Sequence, residues 1–245
     1  MKEWIVGRNP IYETLRAQRR TFYQLWVAKG VNDKGRVTDI LHQADQRDFP
    51  VKRVPRGQLD SLGDGHQGAA LEVSAYPYQS IHAILDYAEG RGDPPFILIL
   101  DTLQDPQNLG TLLRTAEAVG VHGVLLPLRR TATVTPAVVS ASSGASEHLL
   151  LAQANLAQAI SILKDVGVWV FGLDASPEAR RTSQVDLKGS LAIVVGNEAT
   201  GMRPLVRESC DFLVRIPMRG MVESLNAAVA GSIALYLAWE ARGYS

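Results

Sequence analysis

Cysteine is almost missing from this chain. Cys210 stands alone among 245 residues, which excludes an intramolecular disulfide and a cysteine-based zinc site and leaves it as a small packing residue. Long apolar runs are missing too. The longest charge-free apolar-rich run near the C-terminus, residues 225–239, contains Asn226 and Ser232 and falls short of the roughly 20 residues a bilayer requires, so no membrane span is expected. The opening M-K-E-W-I-V-G-R-N-P has neither an apolar h-region nor a small-residue cleavage site, and the expected location is cytoplasmic. Nowhere do His, Cys and carboxylates cluster at metal-ligand spacing, so no metal is expected. No G-x-G-x-x-G follows a candidate strand, which argues against a nicotinamide-binding dehydrogenase.

Net charge is absent as well, with 25 Lys+Arg against 25 Asp+Glu, but the balance is uneven along the chain. Residues 1–76 carry 12 basic and 9 acidic side chains, whereas residues 77–245 carry 13 and 16. The basic part is the candidate for a polyanion, with Arg8, Arg19, Arg20, Lys52 and Arg53 as its candidate contacts. It reads as a small α/β domain: a helix after G-R-N-P, a strand at Q-L-W-V-A-K, a helix around V-T-D-I-L-H-Q-A, and strands at V-K-R-V and G-A-A-L-E-V. Residues 77–94, bounded by Pro and Gly around a short helical pattern, read as a connection to a second domain at 95–245.

From there strands and helices alternate, the pattern of a mainly parallel sheet covered on both faces. The strand candidates are F-I-L-I-L, H-G-V-L-L-P, V-W-V-F, L-A-I-V-V and D-F-L-V-R-I-P. In open α/β sheets ligands lie outside the carboxyl ends of strands, which directs attention to F-G-L-D, V-G-N-E-A-T-G-M and R-I-P-M-R-G-M-V-E-S-L-N. The G-N-E-A-T-G-M stretch approaches a phosphate-binding P-loop but lacks its lysine, and Glu198 would set a carboxylate where phosphate oxygens belong. After the first strand, Pro106 suits a first helical position, and Leu109, Leu112, Leu113, Ala116 and Val119 recur on one face with Arg114 off the stripe. Asn108 lies near that helix start, where capping is the plain reading. The last helix, from S-L-N-A-A-V-A-G, has almost no polar face, which points to burial either within its own domain or, as expected here, by a homodimer with Leu235, Tyr236 and Trp239 as candidate contacts.

In order, D-x-x-x-D-P-x-N-L-G-x-x-x-R-T-A, V-V-G-N-E-A-T-G-M and I-P-M-x-G-x-V-x-S-L-N resemble the SpoU class of SPOUT RNA ribose methyltransferases, from about residue 95 to the end. Through G-R-N-P-I-Y-E-T-L and H-Q-G-A-A-L-E-V, the first part is similar to the substrate-binding domain of the subgroup that methylates a guanosine of large-subunit ribosomal RNA (RlmB-like), rather than the tRNA enzymes (TrmH-like). The resemblance implies an α/β domain whose C-terminal stretch is threaded into a trefoil knot, an exception to the usual rule for chain connections. It also implies an S-adenosylmethionine pocket at the strand ends, with Gly172, Leu173, Gly196, Ile216, Met218 and Leu225 around the cofactor. The family's functional residues fall on Asn108, Arg114, Glu198, Ser224 and Asn226, and Ala227 replaces the usual valine after the last of them.

The implied reaction is in-line transfer of a methyl group from sulfur to a ribose 2′-oxygen, with most of the rate coming from alignment. Either a base takes the hydroxyl proton or the site stabilises a developing alkoxide. The family reading gives Arg114 the base role. A guanidinium that stays protonated would instead hold RNA phosphate, with Asn108 and Asn226 orienting the hydroxyl and Glu198 positioning its neighbours. The alternatives are a tRNA guanosine 2′-O-methyltransferase and an inactive RNA-binding protein of the same fold, in which Asn108, Arg114 or Asn226 would be replaced.

Overall fold

The computed structural model describes residues 2–222 and 224–244. In chain order its elements are β1 (Lys2–Val6), α1 (Arg8–Ala17), β2 (Phe22–Ala28), α2 (Arg36–Gln46), β3 (Val51–Val54), α3 (Arg56–Asp60), β4 (Ala69–Ser74), α4 (Ile81–Arg91), β5 (Phe96–Leu100), α5 (Pro106–Ala118), β6 (Gly123–Pro127), α6 (Pro136–Ala141), β7 (Leu150–Ala154), α7 (Leu156–Asp165), β8 (Trp169–Leu173), β9 (Arg180–Arg181), β10 (Leu191–Val195), α8 (Pro204–Ser209), β11 (Phe212–Arg215) and α9 (Ala227–Ala241). They gather into two compact units: Met1–Pro77 with Thr133–His148, and Tyr78–Ala132 with Leu149–Ser245.

In the first unit the strands pair in the order β1-β4-β2-β3, antiparallel except for β2 with β3. Strand alternation places Ile5, Leu25, Leu71 and Val73 on one fully buried face. Helix α1, which buries Ile11 and Leu15, contacts β1 and β4. Arg20 is buried in this unit. Its Nε and Nη2 donate to the Glu147 carboxylate at 2.8 Å each, and its Nη1 donates to Glu3 at 2.8 Å and to the Ser74 carbonyl at 3.0 Å. Burial disfavours the charge, yet the hydrogen bonds and field of Glu147 and Glu3 outweigh it and raise the guanidinium's pKa further.

This corrects two expectations. Arg20 cannot meet RNA, because all of its donors point inward. The segment 133–148, which the sequence assigns to the second domain, packs with the first unit, since Glu147 is the partner that neutralises Arg20. Arg19 is largely engaged as well, donating to the Tyr76 hydroxyl at 3.0 Å and to the carbonyl of Glu147 at 3.4 Å. Arg8 reaches the Gln67 carbonyl, Arg53 forms a surface pair with Asp33, and Lys52 is exposed beside it on β3.

The second unit is built on a seven-stranded, wholly parallel sheet in the order β7-β6-β5-β10-β8-β11-β9. Every residue of β5 and β10 is buried, which is why F-I-L-I-L and L-A-I-V-V read as unbroken apolar runs: a central parallel strand has no wet face. Helix α4 belongs to this core and not to a linker, because Ile81 and Ile84 pack in one cluster with Ile97, Ile99 and Leu125. The Cys210 thiol is pushed up to about 12, chiefly by burial and then by the Asp211 carboxylate, consistent with a packing role. Among the described residues no helix is long and apolar enough to cross a membrane.

Helix α9 lies against α5 and β10. The approach is close because Gly231 has no Cβ; one placed there would lie 2.5 Å from Leu112 Cδ2 and 3.0 Å from Val195 Cγ2. The buried stripe comprises Ala228, Gly231, Ala234, Leu235 and Ala238. Leu235 is therefore consumed inside its own chain, which corrects its expected place at a dimer contact. The apolar residues that α9 leaves open are Val229, Ile233 and Tyr236, 46%, 37% and 49% exposed. Trp239 is half-buried, edge-on to Tyr236 and Tyr244.

Candidate active site

Strand order sets the carboxyl ends of β5, β10, β8 and β11 side by side, and the loop after β10 is tightly tied. Its backbone closes on itself: Asn197 N donates to the Gly201 carbonyl at 3.0 Å and Gly201 N to the Asn197 carbonyl at 2.9 Å. The Asn197 side chain accepts from the amides of Ala199 and Thr200 and donates to the Thr102 carbonyl. Beyond the loop, Arg203 N and Nε each donate at 2.7 Å to the fully buried carboxylate of Asp101. The loop is thus tied at both ends to the residues that follow β5. Several of its amides are spent internally, so it is no phosphate nest, and Glu198 is displayed at its tip.

Asn108 faces that tip. The capping role expected for it belongs to Asp105, whose carboxylate accepts from Gln107 N at 2.9 Å with Pro106 in the first helical position. Released from capping, Asn108 donates from Nδ2 to Glu198 Oε1 at 2.5 Å. Asn226 caps α9, its Oδ1 accepting from Ala228 N and Val229 N at 2.9 and 3.2 Å. Capping needs the amide oxygen, which leaves Nδ2 to donate to Asn108 Oδ1 at 3.2 Å. Each amide orientation fixes the next, and three segments far apart in sequence become one hydrogen-bonded chain.

Beside this chain opens a cavity of ≈ 640 Å³. Leu173, Gly196, Glu198, Ile216, Met218, Ser224 and Leu225 line it, all of them expected from the sequence. Gly172 is not in the lining, and a Cβ there would press on Met202 and Cys210. Asn108 and Asn226 stand outside the lining, joined to it through Glu198. Arg114 is exposed on α5 and does not line the cavity. Six residues beyond Asn108, it is two-thirds of a turn around the helix and about 9 Å along it.

Asp101, Asp174 and Asn197 stand within the motifs read from the sequence but are given no role there. Asp174 lines the cavity and accepts from Arg207 Nε at 2.8 Å and Ser176 N at 2.7 Å. Burial opposes its ionisation, but the hydrogen bonds from Ser176 and Arg207 prevail and hold the carboxyl below its ordinary range. The available signal was position: Asp101 and Asp174 each directly follow a strand. Among the described residues no group of three His, Cys, Asp or Glu side chains could hold a metal ion.

Known proteins share this arrangement of chain. The profile of the SpoU rRNA methylase family matches residues 95–236, and that of RNA 2′-O ribose methyltransferase substrate binding matches residues 4–79. YacO of Bacillus subtilis, assigned to the TrmH family of tRNA/rRNA methyltransferases, is 41% identical over 243 residues, covering 98% of this chain and 96% of its own. A Staphylococcus aureus (strain COL) protein of the same assignment is 40% identical over 234 residues, 95% and 93% of the two chains. Among solved structures, the SpoU methyltransferase AviRb from Streptomyces viridochromogenes, in complex with AdoMet, superposes with a TM-score of 0.82 at 21% identity over 98% of this chain and 89% of that one. The A. aeolicus TrmH/SpoU tRNA modifying enzyme gives 0.56 at 26% identity over 67% and 85%. With the first profile spanning the whole strand-end site and the second the basic unit ahead of it, the chain belongs to the SpoU rRNA methylase family.

Proposed function

We propose that this protein methylates the ribose 2′-hydroxyl of a guanosine in large-subunit ribosomal RNA, with S-adenosylmethionine bound in the strand-end cavity. The observation that carries this reading is the Asn226–Asn108–Glu198 chain at the rim of that cavity. The lining suits the cofactor chemically. Leu173, Val195, Ile216 and Leu225 offer apolar surface for an adenosine, while Asp174 and Glu198 are acidic and Arg181 and Arg215 basic, a set matched to a zwitterion with a cationic sulfur. When bound, S-adenosylmethionine supplies an electrophilic methyl group.

The protein's share of the work is placement. Asn108 and Asn226 hold Glu198 in one orientation, and their remaining hydrogen-bonding capacity orients the ribose hydroxyl at the cavity mouth. Ser224 supplies a further hydroxyl on the lining. Arg114, offset from Asn108 on α5, acts on the RNA as a protonated cation and not as the base. Arg114→Ala is expected to lower methyl transfer about tenfold or more while leaving cofactor affinity within about twofold, measured by turnover and calorimetry. Near-normal turnover would remove Arg114 from the mechanism.

Three features support the finer assignment. The substrate-binding profile covers residues 4–79, the larger segment of the basic first unit, which we assign to RNA selection. The A. aeolicus tRNA modifying enzyme aligns with 67% of this chain, whereas AviRb aligns with 98% of it. Asn108, Arg114 and Asn226 are all retained, which favours an active enzyme over a binding protein. The stretch that would thread the knot, from β10 to α9, also supplies most of the cavity lining, so knot and pocket form one proposal. Mapping 2′-O-methylation in cells with and without the gene tests the target. Loss of one guanosine mark in large-subunit ribosomal RNA is expected; a lost mark in transfer RNA would contradict it.

The open stripe of α9 fits a second copy of the chain. Val229, Ile233 and Tyr236 recur at i, i+4 and i+7 and leave a continuous apolar face uncovered. Ile233→Glu is expected to convert a dimer to monomer in sedimentation with little loss of secondary structure. A wild-type monomer at micromolar concentration would contradict the dimer.

A further inference from the structure

A second cavity, of ≈ 560 Å³, opens at the same carboxyl ends of the strands and is lined by Pro127 to Arg130, Ala154 to Ala157, Arg203, Leu205 and Val206. Three arginines and no acidic residue face it, although residues 77–245 as a whole carry more acidic than basic side chains. Arg203 is held by Asp101, but Arg129 and Arg130 are exposed and have no hydrogen bond or ion pair with any described residue. Their charges are not spent on the fold. The first turn of the ten-residue helix α7 also borders the cavity, through Leu156 and Ala157, adding amides that favour an anion.

Position gives this cavity a role. Strand β6, which leads to Arg129, is separated from β10 by β5 alone, so two strand spacings of about 4.8 Å divide them, roughly 10 Å. The loop after β10 is shared: its Met202 lines the first cavity and the adjoining Arg203 the second. An extended RNA strand with its ribose at Glu198 and Asn108 would bring a neighbouring phosphate over the arginines. Arginine suits that task because its planar fork can bind two phosphate oxygens at once.

We propose that this second cavity grips a phosphodiester flanking the methylated ribose, with Arg129 and Arg130 as its anion-binding side chains. The inference rests on the reading of the protein as an RNA ribose methyltransferase. A phosphate grip fixes the register of the strand without reading its sequence.

The test uses the full-length double variant Arg129→Gln/Arg130→Gln, with large-subunit ribosomal RNA from cells lacking the gene as probe. Affinity should fall about tenfold, and the slope of log affinity against log salt should shrink by about 0.7 for each phosphate that is no longer neutralised. KM for RNA should rise with kcat little changed, and the thermal midpoint should stay put because neither side chain has an internal partner. Lys188→Gln, ahead of β10 and so toward the amino ends of the strands, should bind as wild type does. A double variant with wild-type affinity and salt slope, in a protein that methylates this RNA normally, overturns the phosphate site alone. A wild-type protein that neither binds nor methylates the RNA overturns the functional reading and this inference together.

Discussion

Gly196→Ala is expected to reduce methyl transfer by more than about 100-fold and to abolish measurable cofactor binding while most of the fold survives. An added Cβ would lie 2.4 Å from both the Gly201 carbonyl carbon and Met202 N. Those are backbone atoms, so no rotamer change relieves the clash. The loop cannot slide away either, because Asn197 is fixed to Thr102 and Arg203 to Asp101. Relief must displace Glu198, and a misplacement of about 1 Å at a reacting centre costs on the order of 100-fold. Calorimetry with S-adenosylmethionine and single-turnover kinetics read the outcome. Wild-type affinity in this variant would mean that the loop does not form the cofactor site.

Arg20→Met is expected to destabilise the first unit by about 3–5 kcal/mol, the usual cost of removing one member of a buried ion pair. It strands Glu147, whose side chain is 1% exposed, and frees Glu3 and the Ser74 carbonyl of their donor. Hydrogen exchange at β1 and β4 should report the loss locally, which matters because two units need not unfold in one transition. Adding Glu147→Leu should recover much of the stability, since the deeply buried Glu147 charge is removed and only the partly exposed Glu3 carboxylate is left without its partner. A single variant within about 0.5 kcal/mol of wild type would contradict this account of the pair.

The same pair marks where sequence reading ends. Arg19 and Arg20 look like a surface basic doublet, and nothing in local spacing reveals a glutamate 127 positions away that buries one of them. The allegiance of Thr133–His148 to the first unit is a tertiary fact of that kind. By contrast, β5 and β10 are legible because central parallel strands are apolar on both faces. The terminal strands β1 and β7 are not: each has a single neighbouring strand, and K-E-W-I-V and L-L-A-Q-A mix polar or weakly strand-forming residues into short runs. Helix α4 hides between Pro- and Gly-rich ends that read as a linker.

At the site, Asn108, Glu198 and Asn226 stand out by motif, yet their mutual contact depends on which residue caps each helix. Asp105 takes one cap and Asn226 the other, and the sequence leaves the first of these open. The G-N-E-A-T-G-M loop carries a glutamate because its glycines serve its own tight closure and leave the tip free to display a carboxylate.

The most direct test is transfer of label from methyl-labelled S-adenosylmethionine to unmodified large-subunit ribosomal RNA by the purified protein, followed by alkaline hydrolysis. A 2′-O-methyl ribose blocks cleavage at its own linkage, so the account predicts that all label is recovered in one alkali-resistant dinucleotide beginning with guanosine, and that Glu198→Gln abolishes it. Label recovered on a base in ordinary mononucleotides, or undiminished transfer by Glu198→Gln, would contradict it.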